Sequence, residues 1–400
     1  MRETPAARGS SGQVLQLRGA AAAAVIGDRM GDIERYRQEI DRVDREIIRL
    51  LQERQEIALR IGAAKRATGD GSYAPAREEA LLAKLETLAP PALPRTGLRA
   101  VYREIISMSV GSQMGLPVAY LGPEGTYTQQ AARKNFGSSV PLAPMRSIPD
   151  VFASVQRGEA AYGVIPIENS TEGAVVHSLD MLAESDLKIV AQIYLSVELC
   201  LLGRCELGAA RRVLSKDIAL AQCRSWLQRN LPEAEQTPVE STAAAVRLAA
   251  EARPEEGTTA VAAAAAASLY DVPVLAQGIQ DRQDNVTRFL VIGARANPPG
   301  CALEEKTSLV LSLKHEPGSL QKALQPISAH GLNLTRIESR PNRRRAWEYL
   351  FFLDVIGHWE DSAMQAALRD LGEHCHFVKW LGSYPNTSGG SSPVTPPNAA

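Results

Sequence analysis

The chain has 400 residues, with 44 basic and 45 acidic side chains and a formal net charge of −1. That is too long for one ordinary core, so two or three domains are expected. The balanced charge excludes a global field for nucleic acid or an anionic membrane, and no apolar run approaches the roughly 18 residues of a membrane span, so the expected partners are small molecules.

Residues 1–30 read as a disordered extension. Arg2, Arg8 and Arg18 ahead of "GAAAAAVIG" loosely imitate a signal peptide, but alanine is weakly apolar. Met30, just before the first strong helix, is an alternative start. Five scattered cysteines (Cys200, Cys205, Cys223, Cys301 and Cys375) without a C-x-x-C read as reduced thiols of a cytoplasmic protein.

Residues 31–115 read as all helix: a long periodic segment, a break at "TGDGSYAP", and shorter helices starting near Arg77 and Arg95. Steps of three and four along the first helix put Arg37, Ile40, Asp44, Ile47, Leu51, Arg54, Ala58, Ile61 and Lys65 on one face. Any one of these cations could snorkel to water over its apolar stem. Three on one apolar stripe, with Asp44 as the one acid, point instead to an anion site. Arg54 and Lys65 lie roughly 16 Å apart along the axis, within reach of one small ligand, whereas Arg37 is about 25 Å from Arg54. If Arg37 serves a site, that site includes a second chain, and three helices of this size also make a poor core alone.

Residues 116–295 change to short β-branched runs alternating with Ala-rich helical stretches, an α/β pattern. In "GPEGT" (122–126) glycines and a threonine open a helix, where backbone N–H groups can cradle an anion. In "VIPIENSTEG", Glu168 and Asn169 end a strand, and Ser170 and Thr171 can cap a helix. "DNVTRFLVIG" places Thr287 and Arg288 at the mouth of an apolar strand anchored by Phe289. Residues 304–385 give the order βαββαβ, a ferredoxin-like arrangement. The tail, 386–400, is low-complexity and expected to be disordered.

The segments "YRQEIDRVDREIIRLLQERQEIALRIGAAK", "YAPAREEALL" and "VYREIISMSVGSQ" resemble the all-helical chorismate mutases. "LGPEGTYT", "PIENSTEG", "ESTAAAV", "GIQDRQDNVTRF" and "ESRP" resemble prephenate dehydratase followed by an ACT regulatory domain. Joined, they resemble the bifunctional chorismate mutase/prephenate dehydratase family across nearly the whole chain. The resemblance implies an all-α mutase domain, a two-lobed α/β dehydratase with its site in the cleft, and a ferredoxin-like ACT sensor. It also implies at least a homodimer, with no cofactor and no metal.

By that resemblance Arg37 of a second chain and Arg54 bind the chorismate carboxylates. Lys65 and Gln113 donate to the ether oxygen, Glu78 holds the hydroxyl, and Arg77 and Ser109 support them. The rearrangement to prephenate is pericyclic, so the enzyme holds one conformer and stabilises developing charge. In the dehydratase cleft the resemblance places Thr126, Tyr127, Glu168, Asn169, Ser170, Thr242 and Asn285, with Thr287 donating the proton to the leaving hydroxyl and Arg288 orienting the dianion. Phenylalanine, as effector, is expected between the ACT domains of two chains at Gly318, Ser319, Leu320, Asn333, Glu338, Ser339, Arg340 and Pro341. Two departures stand out: Ala74 replaces an aspartate of some mutases, and Lys216 and Asp217 replace family residues, leaving Ser215 and Gln222 carried over there. The competing functions are an arogenate dehydratase and a non-catalytic amino-acid sensor.

Overall fold

The structure, a computed structural model, describes residues 11–68, 73–299, 304–314, 316–342 and 348–387. The first helix, α1 (Ser11–Thr68), is followed by α2 (Pro75–Leu88) and α3 (Arg95–Gln113). It starts at Ser11, inside the stretch expected to be disordered. The run Ala20–Ala24 has the highest helix propensity available, which favours its continuation as helix. Residues 1–10 and 388–400, also expected to be disordered, lie outside the described residues, as does Cys301. Up to Ala63 the chain is one compact unit, and from Ala64 onward it forms another. In the first unit Ile40, Ile47 and Ile61 are 58%, 47% and 40% exposed, on the same helix face as Arg37 and Arg54.

The middle of the chain runs β1 (Val118–Leu121), α4 (Tyr127–Phe136), β2 (Leu142–Met145), α5 (Ile148–Gln156), β3 (Tyr162–Asn169), β4 (Gly173–Ala174), α6 (Val176–Glu184) and β5 (Lys188–Ser196). It then leaves this lobe to build β6 (Cys200–Gly203), β7 (Arg212–Ser215), α7 (Asp217–Gln222), α8 (Arg224–Asn230), β8 (Glu235–Pro238), α9 (Thr242–Glu251), β9 (Thr258–Ala262), α10 (Ala264–Tyr270) and β10 (Val274–Ala276). The chain returns as β11 (Val286–Gly293), which inserts between β3 and β5 and pairs antiparallel with both. The first lobe's sheet is therefore β2-β1-β3-β11-β5, with β4 on β3, and the second lobe's is β10-β6-β9-β7-β8.

The last domain is β12 (Glu305–Leu313), α11 (Ser319–Ala329), β13 (Leu334–Pro341), β14 (Tyr349–Ile356), α12 (Ser362–Gly372) and β15 (Cys375–Pro385), the expected βαββαβ order. Its antiparallel sheet runs β13-β14-β12-β15. Period-2 alternation gives that sheet two buried faces. Leu309, Leu311, Leu353 and Val355 pack on the domain's own helices. Val310, Phe352, Leu381 and Tyr384 pack against Ile165, Ile167, Ile189, Leu290 and Ile292 of the first lobe. The opposite face of the first lobe's sheet, through Val164, Phe289 and Val291, meets Tyr73, Leu82, Ile106 and Val110 of the helical segment.

The close approach of β15 to β5 requires a glycine. Gly382 has φ of 148°, and a Cβ there would collide with the backbone of Ile189. Replacing Gly382 by Ala should cost about 1–3 kcal/mol, the usual penalty for overpacking. A denaturation curve followed through the fluorescence of the stacked Trp359–Trp380 pair checks this, and an unchanged midpoint would contradict it.

Candidate active site

The return of β11 fixes the geometry at the junction of the two lobes. In its register with β3, Thr287 faces Asn169 and Arg288 faces Glu168. Asn169 Nδ2 donates to Thr287 Oγ1 at 2.8 Å and to Asn285 Oδ1 at 2.7 Å. Asn285, 2% exposed, donates in turn to Gln222 Oε1 at 3.2 Å. Gln222 comes from α7 of the second lobe and reaches back to Thr171 Oγ1 and Glu172 Oε1 at 3.4 and 3.3 Å. Asn169 Oδ1 is held by the Thr171 and Glu172 N–H groups, at 2.9 and 3.1 Å. Thr287 Oγ1 thus accepts a hydrogen bond, and its own hydroxyl hydrogen has no acceptor among the described residues.

Other expected cleft residues have structural partners. Thr126 caps α4 by accepting from Gln129 N, and Gln129 Oε1 takes the Gly125 N–H at 2.7 Å. The Gly125 N–H of the "GPEGT" loop is thus turned to Gln129, and Thr126 serves as a helix cap. Tyr127 ties the lobes together, donating to Glu198 O at 2.7 Å. Ser170 and Thr171 do not cap α6, whose N-cap is Val175 without a side-chain bond. Ser170 Oγ instead accepts from Val286 N at 3.0 Å. Thr242 opens α9 and is half-buried. Ser215 is buried and donates to Val261 O at 2.6 Å, away from Gln222. Lys216 and Asp217 are exposed.

Arg288 requires a correction. Alternation along β11 sends it to the face opposite Thr287, so it does not join that hydroxyl. It is 6% exposed, and its Nη1 lies 2.6 Å from Asp354 Oδ2 while Nη2 donates to Tyr384 at 2.9 Å. Burial opposes ionisation of Asp354, but the Arg288 charge and the Ser308 hydroxyl outweigh it and hold the carboxyl below its ordinary pKa. Glu168 also leaves the cleft, pairing with Arg336 Nε of β13 at 2.7 Å. Phe289 is buried in the core, as an anchor should be.

The same alternation acts on β13, the edge strand expected to bind the effector. Arg336, Glu338 and Arg340 share one face. Arg336 Nη2 lies 3.5 Å from Glu338 Oε2, and Arg340 forks onto Asp180 of α6, with Nη2 at 2.6 Å from Oδ2. Arg340 thus points to the first lobe. Ser339 and Pro341 are exposed on the strand, and Asn333 is exposed just before it. Gly318, at the N-cap of α11, has φ of 79°, a left-handed conformation that favours glycine. Ser319 is half-buried and Leu320 exposed beside it.

Of the mutase residues, Arg37 and Arg54 lie in the first unit, where Arg37 is 3.6 Å from Glu34 and Arg54 is half-buried. Lys65, Arg77, Glu78, Ser109 and Gln113 lie in the second. Arg77 is exposed, Ser109 donates to Ile105 O at 3.2 Å, and Gln113 ends α3. Glu78 lines a cavity of about 390 Å³ together with Tyr73, Arg103, Lys134 and Tyr194, a set without Arg77, Ser109 or Gln113. Sequence reasoning missed Tyr73 and Arg103. Burial pushes the Glu78 carboxyl from 4.5 up to about 7, against the pull of the nearby Arg103 and Lys65 charges. Between those values the folded chain keeps a proton that the unfolded chain has lost, so this group makes stability fall as pH rises through that window. Denaturation midpoints taken below and above it should show the fall in the parent chain and a flatter profile in Glu78→Gln; identical profiles would refute the shift.

Three family models match the chain: chorismate mutase type II over residues 36–114, prephenate dehydratase over 118–297, and the ACT domain over 307–373. The bifunctional chorismate mutase/prephenate dehydratase of Aquifex aeolicus (strain VF5) is 44% identical, over 89% of this chain and 98% of its own. Among solved structures, the prephenate dehydratase of Arthrobacter aurescens in complex with L-Phe is 33% identical with a TM-score of 0.63, covering 68% of this chain and 90% of that one. GqqA, described as a novel type of quorum quenching acylase, is 31% identical with a TM-score of 0.61, covering 68% and 98%. The match to the Aquifex enzyme spans the helical segment as well as both later domains, so the chain belongs to the bifunctional chorismate mutase/prephenate dehydratase family.

Proposed function

We propose that this chain converts chorismate to prephenate in a site built on its helical segment, and prephenate to phenylpyruvate at the junction of the two lobes. The observation that carries the second step is the Asn169–Thr287 contact. Prephenate aromatises when the bond to its ring carboxylate breaks, carbon dioxide leaves, and the electron pair moves through the ring to expel the hydroxyl. That hydroxyl needs a proton to depart as water. Thr287 supplies one without bringing a full charge into the site, and Asn169 holds its oxygen so that the hydroxyl hydrogen is directed to substrate.

The mutase site is proposed to need two copies of the chain. The apolar residues exposed on the Arg37 face of α1 support this, because they find a partner in a second α1. Phenylalanine is proposed to inhibit through the ACT domain, a reading supported by the Arthrobacter relative, described as a complex with L-Phe. The reading includes a cytoplasmic location, supported by the four free, buried cysteines among the described residues. No helix among the described residues is long and apolar enough to cross a membrane.

Thr287→Val keeps shape and strand propensity while deleting the hydroxyl. Dehydratase turnover should fall by about a hundredfold or more, with mutase turnover little changed. Retention of most of the dehydratase rate would refute the proton-donor role. For the mutase, Arg37→Ala and Lys65→Ala chains, each nearly inactive alone, should regain activity when mixed, because one site of a mixed dimer inherits neither defect. No recovery after verified subunit exchange would exclude action of Arg37 across chains.

A further inference from the structure

The hydrogen bonds around Thr287 do not end at Gln222. The Glu172 N–H donates to Asn169 Oδ1 at 3.1 Å, Asn169 Nδ2 to Asn285 Oδ1 at 2.7 Å, and Asn285 Nδ2 to Gln222 Oε1 at 3.2 Å. Gln222 Nε2 then returns to Glu172 Oε1 at 3.3 Å. The run of donors closes into a ring that crosses from one lobe to the other and back. Thr287 hangs from it through the second Asn169 N–H, at 2.8 Å.

A primary amide has one accepting oxygen and one donating nitrogen, so turning any of the three end for end sets donor against donor and acceptor against acceptor. Asn169 is fixed by the backbone, since the Thr171 and Glu172 N–H groups hold its oxygen. Gln222 belongs to the second lobe and is held through its side chain, by Asn285 at the oxygen and by Thr171 and Glu172 at the nitrogen. The Thr171 hydroxyl, which can donate or accept, is itself directed to Asn169 Oδ1 at 2.6 Å. A carboxylate only accepts, so Glu172 is the group that determines which end of Gln222 faces Asn285. Of the two carboxylates in "ENSTEG", Glu168 is turned to Arg336 and Glu172 to Gln222.

We infer that Glu172 is a positioning residue for the dehydratase step: it closes the ring, pins Gln222 against the turn that carries Asn169, and so keeps the Asn169 amide on the Thr287 oxygen. It acts through Gln222 and Asn169. In a ring whose donors all run in one sense, each bond polarises the next, so a loss at Glu172 is felt at Asn169 Nδ2. The inference rests on the reading of Thr287 as proton donor. Glu172 is exposed, and replacing it removes the acceptor without opening the core.

Dehydratase kcat and KM of full-length Glu172→Met and Glu172→Gln, and of Glu172→Met combined with Gln222→Ala, test this beside Thr287→Val. Glu172→Met keeps side-chain length and deletes the acceptor; kcat should fall about tenfold, the scale of one lost hydrogen bond, with KM within about twofold. Glu172→Gln can still accept from Gln222 and should keep most of the rate. Once Gln222→Ala has opened the ring, Glu172→Met should cost nothing further. The inference alone is overturned if Thr287→Val loses turnover and any one of three results appears: an unchanged kcat in Glu172→Met, an equal loss in Glu172→Gln, or a Glu172→Met loss that adds in full to that of Gln222→Ala. A Thr287→Val chain with the parent rate would overturn the proton-donor reading and the inference with it.

Discussion

The proposed dehydratase centre depends on one constraint: β11, made after the whole second lobe, lies between β3 and β5. That insertion brings Asn285 and Thr287, which follow the second lobe in the chain, beside Asn169, which precedes it. Gln222 then joins them from the second lobe itself. Register decides the rest. A slip of one residue would exchange the two faces of β11, burying Thr287 against the ACT sheet and aiming Arg288 into the junction. Register is held by the apolar run Phe289–Ile292, whose alternate residues are committed to two different cores.

The ACT domain is joined to the first lobe by two kinds of contact with different effects. The apolar contact of Val310, Phe352, Leu381 and Tyr384 supplies the attraction. Three ion pairs cross the same boundary: Arg288–Asp354, Arg336–Glu168 and Arg340–Asp180. Buried pairs gain little net stability, because desolvation offsets most of their attraction, yet breaking one strands a charge. Their effect is orientational: each arginine has one position in which its charge is answered.

Much of this was legible in the sequence, and the failures have a common physical origin. The βαββαβ order and the three helices follow from local periodicity, and Thr287 and Asn169 follow from the family resemblance. The direction of Arg288 was not legible, although alternation separates it from Thr287 once the strand is known. Its partner Asp354 lies 66 residues away in another domain, and no local pattern signals that pairing. The direction of Arg340 was not legible for the same reason, with Asp180 lying 160 residues away. Gln222, at the end of α7, accepts from Asn285, whereas the neighbouring Lys216 and Asp217 face solvent. The helical start of α1 was missed because an alanine run is compatible with disorder as well as with helix.

Within the proposed function, the ion pairs also say how an effector could be felt at the proton donor. β13 is an edge strand held to the first lobe by Arg336 and Arg340, and its exposed side presents Ser339. Glu168, the partner of Arg336, is one peptide unit from Asn169, which positions the Thr287 oxygen. An effector that binds one placement of β13 better than another therefore changes the free-energy difference between two placements of Glu168, and with it the alignment of Asn169. The coupling is reciprocal: substrate that favours the aligned arrangement must weaken effector binding by the same factor. Such coupling needs contacts with two discrete arrangements rather than a yielding surface. A carboxylate–guanidinium contact meets that requirement better than apolar packing, because displacement takes the carboxylate away from a mostly buried arginine.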